Sequence, residues 1–146
     1  MSGNPSETAV RVWARLIKAQ RQALAAIEQA LSAAKLPPLA WYDGLLELER
    51  AGGSLRPFEL ERAMLLAQYN LSRLLDRLER EGLVTRAPCD DDGRGQWAVI
   101  TDKGRAAQAR TWKVYARSIQ RHVGEKLDDK AAAALADLLG RLMTPE

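Results

Sequence analysis

One cysteine, one histidine and one phenylalanine are all that this 146-residue chain holds of those three types. A single cysteine, Cys89, rules out an intrachain disulfide and points to a reducing compartment. With His122 as the only imidazole, zinc sets built from several Cys and His are excluded, and a Cys–His dyad would have to use this one pair. No apolar run approaches the ~18 residues of a membrane span. The opening MSGNPSETAV lacks the charged-then-apolar pattern of a secretory signal. No glycine loop of the phosphate-cradling kind is present. These absences argue against an enzyme, a cofactor, a bound metal and a membrane partner, and lead us to expect a cytoplasmic protein.

The composition is that of an ordinary soluble domain, 47% hydrophobic and 28% charged, with Ala and Leu dominating and helix therefore favoured. The length suits one domain. The net charge of +3 permits nucleic-acid binding without establishing it. Residues 67–146 hold 14 of the 22 basic groups against 12 acids, so neither half is strongly polarised. A DNA-binding surface must therefore come from the placement of a few arginines.

Val10, Trp13, Ile17, Leu24, Ile27 and Leu31 recur near helical spacing and predict a long helix over about 7–35, after a frayed start at 1–6 and before Pro37-Pro38. A second helix is expected from Leu39 to Ala51, stopped by Gly52-Gly53. Ser54-Leu55-Arg56 has room only for a bridge strand. A short helix then opens on Pro57 and runs to Met64. From Ala67 to Glu81, Leu71, Leu74, Leu75 and Leu78 make one apolar stripe, with Tyr69, Arg73, Asp76 and Arg80 on the opposite face. Leu83–Pro88 and Gln96–Ile100 read as two strands around a turn-rich Cys89–Gly95 segment. Thr101 is placed to cap a helix reaching Arg121 or beyond, and Asp128-Asp129 to start a last one bearing Leu135, Leu138, Leu139 and Leu142.

A short helix, a tight connection, a second helix and a hairpin make the winged helix-turn-helix plan. The second helix enters the major groove and its first residues reach base edges. The hairpin can carry an arginine to a narrow, negative minor groove. The run Asn70-Leu71-Ser72-Arg73-Leu74-Leu75-Asp76-Arg77-Leu78-Glu79, followed by Gly82-Leu83-Val84, resembles the recognition-helix signature of the MarR family. Asp92-Gly93-Arg94 is similar to that family's wing motif, and Ile100-Thr101-Asp102-Lys103-Gly104 to its closing element. Leu55 and Glu59-Leu60 fit its short-helix pattern. The motifs span roughly residues 54–104, and the helix order extends the likeness to almost the whole chain.

The resemblance implies a mainly α (α+β) fold, a winged helix-turn-helix with N- and C-terminal dimerisation helices. Residues 7–35 and 104–146 would form the dimer and 39–103 the DNA-binding region. It further implies a homodimeric transcription regulator, read here as a repressor, bound to a pseudo-palindromic operator in double-stranded DNA and released by a small, often aromatic, effector. The candidate DNA contacts are Tyr69, Asn70, Ser72, Arg73 and Arg77 on the recognition helix, with Arg73 expected at a base edge and Arg77 at phosphate. Arg94 is expected in the wing, with Asp92 orienting its guanidinium. Trp13 and Trp41 are candidates for an effector pocket, although Trp13, Trp41, Tyr42, Trp112 and Tyr115 fit core packing equally well. Acids at 90–92 would disfavour a thiolate at Cys89, which reads as incidental.

In one place the chain departs from the pattern. Leu65-Leu66-Ala67 stands where the family usually has Gly-Val-Ser, and Ala67 cannot cap a helix. Either the turn has another conformation or a neighbour such as Gln68 compensates. The alternative reading is a winged-helix protein-interaction module, an anti-repressor or scaffold without specific DNA binding.

Overall fold

The computed structural model describes residues 3–67, 70–89 and 95–143. Its elements are α1 (Glu7–Ala33), α2 (Leu39–Arg50), β1 (Ser54–Leu55), α3 (Pro57–Ala63), α4 (Leu71–Arg80), β2 (Val84–Pro88), β3 (Gln96–Ile100), α5 (Asp102–Ile119), a π-helical turn (Gln120–Gly124) and α6 (Asp129–Leu142). The chain forms two compact units, one of Leu31–Val114 and one of residues 1–30 and 115–146. The helices α1 and α5 each contribute to both.

The Leu31–Val114 unit is built on leucine. Leu48, Leu60 and Leu78 are completely buried, and with Leu45, Leu71, Leu74 and Leu75 they join α2, α3 and α4 against Val84, Ala98 and Ile100 of the hairpin. Burying each such side chain contributes roughly 1.5–3 kcal/mol relative to exposure. The sheet has three antiparallel strands in the order β1-β3-β2, with Ser54 opposite Val99 and Val84 opposite Ile100. Gly53 lies at φ +118°, a conformation that favours glycine, and its carbonyl accepts from the Ile100 amide at 2.8 Å. The expected stop at Gly52-Gly53 thus also docks β1 on β3.

Local chemistry sets the helix starts. Ser6 Oγ accepts from the Ala9 amide at 3.0 Å and caps α1, which starts at Glu7. Pro57 occupies the first turn of α3, and the Glu59 carboxylate accepts from the Arg56 amide at 2.9 Å. Asp128 Oδ1 accepts from the Ala131 amide at 2.8 Å, as the Asp128-Asp129 pair led us to expect.

Thr101 caps α5 and also closes the wing. Its hydroxyl accepts from the Gly104 amide at 3.0 Å and donates to the Gly82 carbonyl at 2.7 Å, while its own amide donates to Leu83 O at 3.1 Å. One residue therefore ties the end of α4, the end of the hairpin and the start of α5. Gly104 is required by the same junction: a Cβ there would run into the Leu83 carbonyl oxygen and approach Ile100 Cγ1 to 2.9 Å.

In the second unit, α5 gives way to the π-helical turn at Gln120, where an uninterrupted helix through Arg121 was expected. No residue of α6 is buried; Leu135, Leu138 and Leu142 are exposed and Leu139 is half-buried. Val10 and Trp13 of α1 are exposed as well. Among the described residues, no helix is long and apolar enough to cross a membrane.

Replacing Gly104 by Ala should lower stability by about 2 kcal/mol, the overpacking penalty exceeding alanine's helix-propensity advantage of ~1 kcal/mol. Urea unfolding of the two proteins measures it. An unchanged or higher midpoint for G104A would remove the close Leu83 contact from the account.

Candidate nucleic-acid interface

The connection between α3 and α4 is where the chain departs from its motif, and it is held by a residue from elsewhere. Asp43, on α2 and only 3% exposed, accepts from the Leu65 amide through Oδ1 at 3.1 Å and from the Leu66 amide through Oδ2 at 2.8 Å. Two backbone donors that the turn cannot pair internally are thereby satisfied. The helix that follows starts at Leu71 and not at Ala67, because Ala67 has no side-chain acceptor and the next capping side chain is Asn70. Asn70 Oδ1 accepts from the Arg73 amide at 3.0 Å. Gln68 and Tyr69 lie outside the described residues, so Tyr69 as a candidate contact is not placed.

Helical periodicity then sorts α4 into two faces. Leu71, Leu74, Leu75 and Leu78 are buried, which leaves Ser72, Arg73, Asp76, Arg77, Glu79 and Arg80 exposed. Among the described residues neither Arg73 nor Arg77 is ion-paired. Arg73 and Arg77, one turn apart, are thus brought to one outer surface, while Ser72 is turned towards the wing, where it lines a groove with Arg86 and Trp97. Asn70 stands at the head of that surface with its carbonyl oxygen already engaged in the cap.

The two acids of α4 are held towards the wing. Arg86 of β2 donates from Nη2 to Asp76 Oδ1 at 2.7 Å and sits with Nε 3.8 Å from Glu79 Oε1. This pairing sets the wing strand against α4. On the other side Arg56 lies over the Trp97 ring at 5.3 Å, tying the start of α3 to β3. Between these ties runs an open groove of about 490 Å³, lined among others by Pro57, Ser72, Arg86 and Trp97. Asp92 and Arg94, the candidate wing contacts, fall outside the described residues.

Of the effector candidates, Trp13 is 63% exposed on α1, and Trp41 is partly buried against the leucine core. They belong to different units. Tyr42 stacks on Trp112 with ring centroids 6.1 Å apart and 16° between planes, beside an open pocket of about 370 Å³ that also meets Glu49 and Arg105. Cys89 is buried. Among the described residues no group of three or more His, Cys, Asp or Glu is placed to hold a metal.

Reading the sequence missed Asp43 and Arg86. Asp43 did leave a signal: it falls four residues after Leu39, an acid on a stripe otherwise given to Leu39, Tyr42, Leu45 and Leu48. Arg86 left none, since a lone arginine in a strand has many uses.

Three helices, a capped outward-facing helix and an antiparallel wing on one leucine core define a winged helix-turn-helix protein. Residues 36–95 match the model of the MarR family. The transcriptional activatory protein BadR of Rhodopseudomonas palustris is 28% identical over 125 residues, covering 84% of this chain and 69% of that protein. The structure of AbsC, a MarR-family regulator from Streptomyces coelicolor, superposes with a TM-score of 0.82 at 24% identity, covering 97% of this chain and 95% of the other. Sco3205 of the same organism, a MarR-family regulator solved in complex with DNA, gives 0.85 at 24% identity, covering 97% and 89%. The winged-helix region of this chain is thus similar to the MarR family, and its fold is that of the family's solved members.

Substituting Asn70 by Ala should cost about 1 kcal/mol of stability through loss of the cap, while Asn70→Asp should be close to neutral. Thermal or urea unfolding distinguishes the two. Equal losses in both variants would show that Asn70 does not act as a cap.

Proposed function

We propose that this protein is a homodimeric, sequence-specific repressor that places α4 in the major groove of each half of a pseudo-palindromic operator. The observation that carries the reading is the outer face of α4: Arg73 and Arg77, one turn apart, stand exposed and without an ion pair among the described residues, with both acids of the helix drawn towards Arg86. Arg73 donates to a base edge, Arg77 to phosphate, and Asn70 offers its amide nitrogen from the cap. Tyr69 is a further candidate for the major groove, and Arg94, with Asp92 as its partner, for the minor groove.

The terminal helices 7–35 and 104–146 pair with those of a second copy. The exposed leucines of α6 and the exposed Val10 and Trp13 of α1 supply apolar surface for this. Two-fold symmetry then puts the half-sites about one helical turn apart. Sco3205 is a family member of this fold that was crystallised with DNA. BadR is named an activator, so repression is the part of the proposal that depends on where the operator lies relative to the promoter. A small aromatic effector lowers the affinity, with Trp41 and Trp13 as the residues whose fluorescence would report it. The protein acts in the cytoplasm, as a binding protein and not an enzyme.

Selection from random duplexes, followed by titration at two salt concentrations, tests the proposal. The expected result is an enriched pseudo-palindrome bound by a dimer, with affinity falling steeply as salt rises because phosphate contacts release counterions. Arg73→Ala should weaken binding by roughly 1–3 kcal/mol and relax the preference at one base position. Arg77→Ala should weaken selected and scrambled duplexes alike and reduce the salt slope by about one contact. Absence of any enriched motif would favour a winged-helix interaction module. A reporter whose output rises on binding would replace repression by activation.

A further inference from the structure

We infer that Asp43 is a positioning residue for DNA recognition: from α2, its carboxylate sets the turn that delivers α4 to the groove. The inference rests on the DNA-binding reading above, but its structural half stands on separate ground. Leu65 and Leu66 lie in the connection between α3 and α4, and each donates its amide to a different carboxylate oxygen of Asp43. The contact spans 22 and 23 residues of sequence, so the turn is referenced to the α2 scaffold and not to its own neighbours. Leu65 itself is 77% exposed and offers the turn no anchorage through its side chain. On the other side, α2 is fixed by Leu45 and Leu48 in the same core that seats Leu74 and Leu78 of α4.

A buried carboxylate with two backbone donors is a directional restraint. Charge-assisted hydrogen bonds are shorter and stronger than neutral ones, and both oxygens are used. Loss of one would let the turn relax at Leu65 and Leu66, a few residues before the Asn70 cap of α4. Base-edge contacts from the head of α4 depend on that placement, whereas phosphate contacts through long, exposed arginines tolerate it. Specific affinity should therefore suffer and non-specific affinity should not.

The test compares Asp43→Asn with the wild-type full-length protein, and Asp43→Ala as the more severe variant. The asparagine keeps one acceptor and the size of the side chain. Each protein is titrated with the duplex selected by the wild type and with a scrambled duplex of equal length at the same salt. Helicity by circular dichroism and size by gel filtration are followed alongside. D43N is expected to bind the selected duplex about tenfold more weakly, with the scrambled duplex changed less than about twofold and helicity and size unaltered. D43A should show the same pattern more strongly. Unchanged binding to both duplexes would overturn the inference. So would parallel loss of both with loss of helicity or dimer in D43N, which is what a purely structural acid would give.

Amide hydrogen exchange at Leu65 and Leu66 separates this inference from the reading it rests on. If the wild type enriches no duplex, the DNA-binding proposal fails by itself. Exchange then still decides for Asp43: faster exchange at those two amides in D43N, with α2 and α4 unchanged, supports its hold on the turn, and unchanged exchange overturns it.

Discussion

Everything on the candidate interface depends on the burial of one leucine stripe. Leu71, Leu74, Leu75 and Leu78 can leave water only by turning the same face of α4 inward, and that act turns Ser72, Arg73 and Arg77 outward. The hydrophobic effect fixes rotation about the helix axis but is indifferent to sliding along it. Axial position is set at the two ends by hydrogen bonds. Asn70 closes the N-terminus, and at the C-terminus Gly82, at φ +76°, gives its carbonyl to Thr101. Packing and capping thus fix different coordinates of the same helix, and neither would suffice alone.

Several motif residues that look functional in the sequence are structural in the molecule. Asp76 and Glu79, which sit inside the recognition-helix signature, face Arg86 of the wing. Exposed ion pairs of this kind contribute little to stability, roughly 0–1 kcal/mol. Their value here is orientation, because they set the wing against α4. Thr101 and Gly104 of the closing element act in the same way at the other end. The threonine binds the α4 terminus, and the glycine admits the Leu83 backbone where any side chain would collide.

Element order and type were legible in the sequence because the periodicities are strong and the punctuation is chemical: prolines at 37, 38 and 57, glycines at 52, 53 and 82, and capping side chains at 101 and 128. The start of α4 was misplaced at Ala67 because the leucine stripe carries no information about where hydrogen bonding begins, and the family pattern suggested an earlier cap. Asn70 could have been chosen by its side chain alone, being the next residue of the short Ser, Thr, Asp and Asn set that caps helices best. The π-helical turn after Ile119 had no signature that apolar spacing could show. Of the candidate contacts, the helical period brings Arg73 and Arg77 to one face, leaves Ser72 towards the wing and sets Asn70 at the cap. Asp43 was invisible as a partner of Leu65 and Leu66, since a contact across so many residues is a property of the folded core and not of local pattern.

Asp43 also explains how the chain dispenses with the glycine and serine of the usual turn. A local solution relies on a residue that tolerates a tight bend and another that caps from next door. Here both tasks leave the turn: backbone donors are satisfied by α2, and the cap moves forward to Asn70. The turn residues are released from those demands and can be apolar, as Leu65, Leu66 and Ala67 are. The consequence is a change in what holds the recognition helix. A locally encoded turn keeps its shape whenever its own residues are intact, whereas this one keeps its shape only while α2 is seated. Conformational control of α4 has been moved from the turn into the core, and a shift of α2 would be felt first at Leu65 and Leu66, ahead of α4.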